Sequence, residues 1–227
     1  YEAGVKVSSA YPGTPSTEIS ENLVKYRDDL YAEWAPNEKV AAETAIGASI
    51  SGVRAMACMK HVGLNVASDP LYTVSYMGVN GGLLFMVADD PGLYSSQNEQ
   101  DTRMIARAAG VPVLEPSDSA EAKEFVKIGF ELSEQFDRPV IFRITTRLAH
   151  SQGLVELKDR EEIPDKTYEK DIRKNVMMPG NAKFRHVEIE KRNNELKEAA
   201  DTLPINKMEM NDTRIGVITS GIPYQYV

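Results

Sequence analysis

Leu83-Leu84-Phe85-Met86-Val87-Ala88 is a run of six apolar residues with no polar break. A strand half in water alternates; an unbroken run suits a strand covered on both faces. The chain therefore calls for a sheet held between helices, and the flanking segments supply both. Val5 to Ser9, Val53 to Met59, Val111 to Leu114 and Val140 to Ile144 read as further strands. Between them lie helical patterns. Ile19, Leu23, Tyr26 and Leu30 recur at helical spacing, Asn37 caps an Ala-, Gly- and Ser-rich helix from Glu38 to Gly52, and Asp118 with Glu121 opens a stripe of Ala122, Phe125, Val126, Gly129 and Leu132. Strands alternating with helices predict an α/β fold with a mainly parallel sheet flanked by helices. Such sheets bind ligands in the loops at the carboxyl ends of their strands.

The 227 residues, 42% of them hydrophobic, suffice for one well-packed α/β domain with extra material, or for two small domains. A net charge of -8 argues against nucleic acid or an anionic membrane as the main partner. No apolar run approaches the roughly 20 residues of a membrane span. The single cysteine, Cys58, sits in an apolar stretch and reads as a buried thiol. One thiol cannot ligate a four-cysteine iron–sulfur cluster, and the cytoplasm is the expected compartment. After about Leu157 the sequence becomes highly charged, reads as a solvated linker, and admits one amphipathic helix from His186 to Leu203. Arg214 to Gly221 then reads as a fresh strand and turn. The expected organisation is a domain over 1–156, a charged linker over 157–213, and the start of a second, truncated α/β domain over 214–227.

Three loops carry unusual residues, each after a predicted strand: Tyr11 to Glu18, Met59 to Asn65, and Ala88 to Arg103. Each has a local explanation. Thr14 reads as a helix N-cap followed by Pro15 at the first helical position. Glu38 suits a first helical turn through the macrodipole. His61 reads as a surface loop histidine. Asp89-Asp90 before Pro91-Gly92 reads as a pair of solvated acids in a turn, with Mg²⁺ binding as the alternative. Gly78, Gly81 and Gly82 lack the spacing of a phosphate-binding fingerprint.

Taken together, the loops are more specific. Tyr11-Pro12-Gly13-Thr14-Pro15-Ser16 is similar to a signature of the 2-oxoacid:ferredoxin oxidoreductases. Asn37-Glu38-Lys39-Val40 with Gly47-Ala48-Ser49 resembles that family's glutamate-bearing helix. Met59 to Asn65, Ala88 to Pro91 and Ser95-Ser96-Gln97-Asn98-Glu99-Gln100-Asp101 resemble the indolepyruvate branch. The resemblance covers about residues 1 to 150. It implies the pyrimidine-binding domain of a thiamine-diphosphate enzyme, as a fragment of the α subunit.

The resemblance also implies roles. Glu38 would hydrogen-bond N1′ of the aminopyrimidine and so activate the cofactor. His61 would border the thiamine as a second catalytic group, with Gly63 and Asn65 lining the cofactor. Thr14 would lie near the substrate, and Arg103, or Arg107 under a shifted alignment, would bind the substrate carboxylate. Leu64, Tyr72 and Tyr94 are candidates for an aryl-binding surface. The implied reaction is oxidative decarboxylation of arylpyruvates such as indolepyruvate to acyl-CoA, with ferredoxin as electron acceptor. Other 2-oxoacids (pyruvate, branched-chain acids, 2-oxoglutarate) remain alternatives, as does a non-catalytic module that docks a partner subunit. Coenzyme A, a β (γ-type) subunit and an oligomeric assembly are implied partners. Mg²⁺ and 4Fe-4S clusters are implied for the full enzyme, with no metal ligand assigned in this chain.

Overall fold

Six parallel strands form the centre of the molecule, and the computed structural model describes residues 1–212 and 214–227. In chain order the core elements are β1 (Val7–Ala10), α1 (Thr17–Leu23), β2 (Tyr31–Trp34), α2 (Glu38–Ser51), β3 (Ala55–Lys60), α3 (His61–Val66), α4 (Ser68–Met77) and β4 (Leu83–Asp89). They continue with α5 (Thr102–Ala109), β5 (Val113–Leu114), α6 (Ser119–Phe136), β6 (Val140–Thr145) and α7 (Thr146–Ala149), then α8 (Ile172–Asn175) and α9 (Pro179–Ala200). The strand order is β2-β1-β3-β4-β6-β5, with Ala10 opposite Cys58, Lys60 opposite Ala88 and Asp89 opposite Thr145. The chain leaves β1 for β2 on one side and returns to β3 on the other. That reversal splays the loops after β1 and β3 apart and opens a crevice between them.

The apolar run of β4 is buried on both faces. Leu84, Met86 and Ala88 join Met56, Cys58, Phe142 and the α6 residues Phe125, Phe130 and Phe136 in one cluster. Leu83, Phe85 and Val87 join Ala57, Met59 and Ile141 with residues of α2, α3, α4 and α5 in the other. Alternate residues feed opposite layers because strand side chains alternate in direction. Each fully buried Leu or Phe contributes roughly 1.5–3 kcal/mol. The small residues of α2 let it lie close to the sheet: Ala41, Ala42 and Ala45 are fully buried. Cys58 is buried in the first cluster, and that burial pushes its thiol up to about 12.

Helix starts follow local chemistry at two predicted sites. Asn37 Oδ1 accepts from Val40 N at 3.0 Å, and Asp118 Oδ1 accepts from Glu121 N at 2.8 Å. Glu121 returns the contact to Ser117 N at 2.9 Å, one residue before the cap. The prediction at Thr14 is overturned. Helix α1 begins at Thr17, with Ser16 in the cap position, and Gly13 N donates to Thr17 Oγ1. The Thr14–Pro15 peptide is cis. The segment Met59 to Asn65 is not a loop: β3 runs through Lys60 straight into α3.

Strand β2 was not legible in the sequence. It has four residues on the sheet edge, and Leu30 extends the preceding helical spacing. The predicted strand after Arg214 is absent: residues 215–220 form neither strand nor helix, and Ile215, Val217 and Ile218 are exposed. A strand needs a hydrogen-bonded neighbour, and none of the described residues pairs with it.

The charged segment is docked rather than free in solvent. Glu161 N donates to Glu2 O, and Lys166 N donates to Gly52 O at 3.0 Å. Helix α9, longer than predicted, packs on α4 and α6. Its arginines cap helix carboxyl ends, where carbonyls lack partners. Arg185 donates to Tyr76 O and Met77 O at the end of α4. Arg192 donates to the Asp137 carbonyl and carboxylate at the end of α6. Arg138, fully buried, bridges Gly110 O after α5 to Ile189 O in α9. Gly78, Gly81 and Gly82 lie at this end too, against Asp137, Val53 and Phe130, so they serve close packing rather than phosphate binding.

Candidate active site at the carboxyl edge of the sheet

The β1–β3 crevice collects Thr14, Glu38, His61 and Gly63 from the singled-out residues. Glu38 is the first residue of α2, because Asn37 takes the cap position. Its half-buried side chain folds over α3. A Cβ at residue 63 would lie 2.6 Å from both Glu38 Cγ and Glu38 Oε1, so the carboxyl rests where only glycine leaves room. Two residues earlier, at the start of α3, His61 is fully buried. Its Nε2 lies 3.0 Å from Asn98 O. A carbonyl only accepts, so Nε2 carries the proton and Nδ1 of the neutral ring is an acceptor. That Nδ1 is buried without a partner. The expectation of a surface loop histidine is overturned.

Lys60 ties the loops after β1 and β4 together. Its aliphatic stem fills the space beside Gly13, where a Cβ would sit 2.9 Å from Lys60 Cδ. Its ammonium donates to Ser95 O at 3.2 Å. Ser95 Oγ lies 3.5 Å from Thr14 O, a weak contact. Thr14 itself is exposed. The crevice thus brings together Thr14, Glu38, His61 and Gly63 with the loop 91–100.

The acid pair that closes β4 is not solvated: Asp89 is 0% exposed and Asp90 1% exposed. Asp89 accepts from Thr102 N at 3.1 Å, from Thr102 Oγ1 and from Arg143 Nε at 2.6 Å. Asp90 accepts from Ser96 Oγ at 2.6 Å, Thr146 Oγ1 at 2.7 Å, Ser95 N at 2.8 Å and Tyr94 N at 3.3 Å. Burial alone would raise its pKa, but these donors together hold Asp90 well below the usual carboxylate range. Sequence reasoning missed Asp90, Lys60 and Asn98. The adjacent acids were the available signal, and they were read as a solvated turn.

Other predicted residues lie apart from this cluster. Arg103 pairs with Asp101 at 2.8 Å and Glu115 at 3.5 Å, on the β5–β6 side of the sheet. The hydrogen bond to Asp101, with the Glu115 carboxylate nearby, holds its guanidinium above the ordinary arginine pKa. Arg107 is exposed in the last turn of α5. Asn65 is exposed, and its carbonyl accepts from Ser68 Oγ. Leu64 is fully buried in the core and offers no ligand surface, whereas Tyr72 and Tyr94 are exposed. Among the described residues, no group of three or more His, Cys, Asp or Glu side chains is arranged to hold a metal ion, and no helix is long and apolar enough to cross a membrane.

A carboxyl seated on a bare glycine face and a buried imidazole acceptor without a partner suit a polar heterocycle bound at this crevice. Comparisons with known proteins place the chain in a family. Residues 1–211 match the family model described as pyruvate flavodoxin/ferredoxin oxidoreductase, thiamine diphosphate-binding. The chain is 46% identical over its whole length to the indolepyruvate oxidoreductase subunit IorA of Pyrococcus horikoshii and 47% identical to that of Pyrococcus abyssi. It covers 36% of each of those relatives. The 2-oxoglutarate synthase subunit KorA of Methanothermobacter thermautotrophicus is 28% identical over 71% of this chain and 45% of its own length. The fold is that of 2-oxoglutarate:ferredoxin oxidoreductase from Magnetococcus marinus, with a TM-score of 0.67 at 19% identity over 86% of this chain and 42% of that one. The chain belongs to the thiamine-diphosphate-binding family of the pyruvate flavodoxin/ferredoxin oxidoreductases.

Proposed function

We propose that this chain supplies the pyrimidine side of the thiamine-diphosphate site in an indolepyruvate (arylpyruvate):ferredoxin oxidoreductase. The enzyme would decarboxylate its 2-oxoacid oxidatively, pass electrons to ferredoxin and transfer the acyl group to coenzyme A. The observation that carries the reading is Glu38 resting on the Cβ-less surface of Gly63. The full-length identity to indolepyruvate relatives, against 28% over part of the chain for the 2-oxoglutarate relative, favours the aryl substrate class.

Thiamine diphosphate, when bound, supplies the carbon nucleophile and the electron sink for decarboxylation. The protein's part is to hold it and manage one proton. Glu38 would meet the ring nitrogen N1′ through a hydrogen bond, with Gly63 letting the ring and the carboxyl lie close to the α3 backbone. His61, its Nε2 proton committed to Asn98 O, presents Nδ1 as an acceptor. Thr14 would face the substrate, and Asn65 would touch the cofactor from α3. Arg103 would anchor the substrate carboxylate with donors left over from Asp101 and Glu115.

Residues 1–156 would form this unit, 157–213 a docked linker, and 214–227 the opening of a second α/β domain. The exposed apolar run Ile215–Ile218 suits a strand whose neighbours lie elsewhere. Mg²⁺, the 4Fe-4S clusters and coenzyme A would be held by other parts of the enzyme, which would include a β subunit and work in the cytoplasm.

The test is Glu38→Gln in the complete enzyme, assayed with indolepyruvate, phenylpyruvate, pyruvate and 2-oxoglutarate. Turnover is expected to fall at least about a hundredfold, the usual scale for losing an acid–base group. Wild-type turnover in the variant would sink the role of Glu38. Faster wild-type turnover on 2-oxoglutarate than on the arylpyruvates would remove the aryl assignment.

A further inference from the structure

The loop after β4 is exposed along residues 91–95 and 97–99, yet its geometry is over-determined. Four donors from Tyr94, Ser95, Ser96 and Thr146 converge on the buried Asp90 carboxylate. Leu93 is held at φ 59°, a left-handed conformation that costs a branched residue about 1 kcal/mol or more. Its N–H is taken by Asp90 O at 3.1 Å. Gly92 N donates to Glu99 Oε2 at 2.9 Å, closing the loop on itself. A solvent loop with no task would relax; this one is clamped in a strained shape.

The clamped loop then makes its outward contacts to the crevice. Ser95 O takes the Lys60 ammonium, whose stem lies against Gly13, and Asn98 O takes His61 Nε2. Asn98 O therefore decides which His61 nitrogen carries the proton. Ser95 reaches the Thr14 backbone. Asp90 touches neither Thr14, His61 nor Glu38, but three of its four bonds fix the segment that orients the first two, and the fourth anchors the carboxylate to Thr146.

We propose that Asp90 is a positioning residue: by prefolding the Leu93–Asn98 loop it sets the ring orientation and tautomer of His61 and the placement of Thr14. This rests on the thiamine-diphosphate reading given above. Because Glu38 and Gly63, the main contacts proposed for the cofactor, lie outside the clamp, Asp90 acts on turnover far more than on cofactor affinity.

The experiment uses the complete enzyme with Asp90→Asn and, separately, Ser96→Ala, which removes one donor from the clamp without changing charge. In Asp90→Asn one oxygen becomes a donor facing donors. Amide exchange at Tyr94 and Ser95 is expected to speed up at least about tenfold while the core strands keep their protection. The kcat for an arylpyruvate is expected to fall at least about tenfold, with the thiamine-diphosphate Kd within about twofold of wild type, as misplacement of groups around a bound cofactor would do. Ser96→Ala should show the same split with a smaller fall.

A kcat within about twofold of wild type in a variant whose loop amides are deprotected would overturn the proposal, since positioning is worth far more. So would unchanged amide exchange, or a loss of cofactor affinity large enough to explain the fall. If Asp90→Asn does not fold, Ser96→Ala decides by the same criteria. Failure of the underlying reading looks different: the wild-type enzyme would then not bind thiamine diphosphate, or Glu38→Gln would turn over normally.

Discussion

Both ends of the sheet hold buried, paired charges, but they differ in the groups they leave bare. At the amino end, charge is matched inside the chain. Arg54 donates to both oxygens of Glu134, and Glu134 also accepts from Gly82 N. Ser133 Oγ serves Leu83 N, and Asp137 holds Val79 N, Lys174 and Arg192. One nitrogen, Arg138 Nε, is left without a partner there. At the carboxyl end, His61 Nδ1 and Thr145 Oγ1 are buried and unpartnered, Thr14 is exposed, and Glu38 meets a glycine backbone rather than a cation. Internally satisfied groups stabilise; groups kept for a ligand must do without internal partners. The amino end closes the fold, and the carboxyl end carries the candidate site.

That contrast can be broken by substitution at each end. Arg54→Ala should cost about 3 kcal/mol of stability, because it strands a largely buried carboxylate. The same change should leave thiamine-diphosphate affinity of the folded enzyme intact. Urea unfolding beside calorimetric cofactor titration checks both; a loss of affinity without a loss of stability would erase the distinction between the ends. Gly63→Ala should do the reverse. Alanine favours a helix by about 1 kcal/mol over glycine, so α3 should not be weakened. The new Cβ would displace the Glu38 carboxyl, and cofactor affinity should fall about tenfold, or ~1.4 kcal/mol. Unchanged affinity would mean that Glu38 does not need its seat on residue 63.

Acid should separate the ends more gently. Burial opposes ionisation of Glu134, but Arg54 and Lys166 outweigh it and its pKa is lowered. Asp90 is lowered further by its four donors. A carboxylate whose folded pKa is depressed contributes stability that is complete above its unfolded pKa and is lost as pH falls through the folded value. Both contributions should therefore be intact at neutral pH and weaken on acidification. The Asp90-dependent protection of the Tyr94 and Ser95 amides should outlast the ordinary carboxylate range near pH 4. Amide exchange between about pH 3 and 6 reads this directly; release of the loop at the upper end of that window would show that Asp90 is not clamped as described.

Much of the fold was legible because it rests on local rules. The unbroken apolar run of β4 demanded cover on both faces, and Asn37 and Asp118 announced helix starts through side chains that reach only three residues ahead. The misses share a cause. Strand β2 exists because β1 lies beside it, with Val7 opposite Tyr31, and its own four residues carry little pattern. The charged segment looked solvated, but its arginines find carbonyls at the ends of α4 and α6 that no spacing could reveal. The Asp89-Asp90 pair looked like a wet turn because its donors come from Thr102, Arg143, Ser96 and Thr146, up to 57 residues away in sequence.

By itself, the sequence determined the parallel α/β architecture and the motif that singled out Glu38, because helix capping, strand burial and family motifs are written in neighbouring residues. Only the tertiary structure decided that Glu38 rests on Gly63, that His61 is buried with one ring nitrogen committed and one bare, and that Asp90 shapes the loop beside them. Those facts depend on how α2, α3 and the β4 loop meet at the carboxyl edge of the sheet. Contact distance and burial belong to that meeting, and no single segment encodes them.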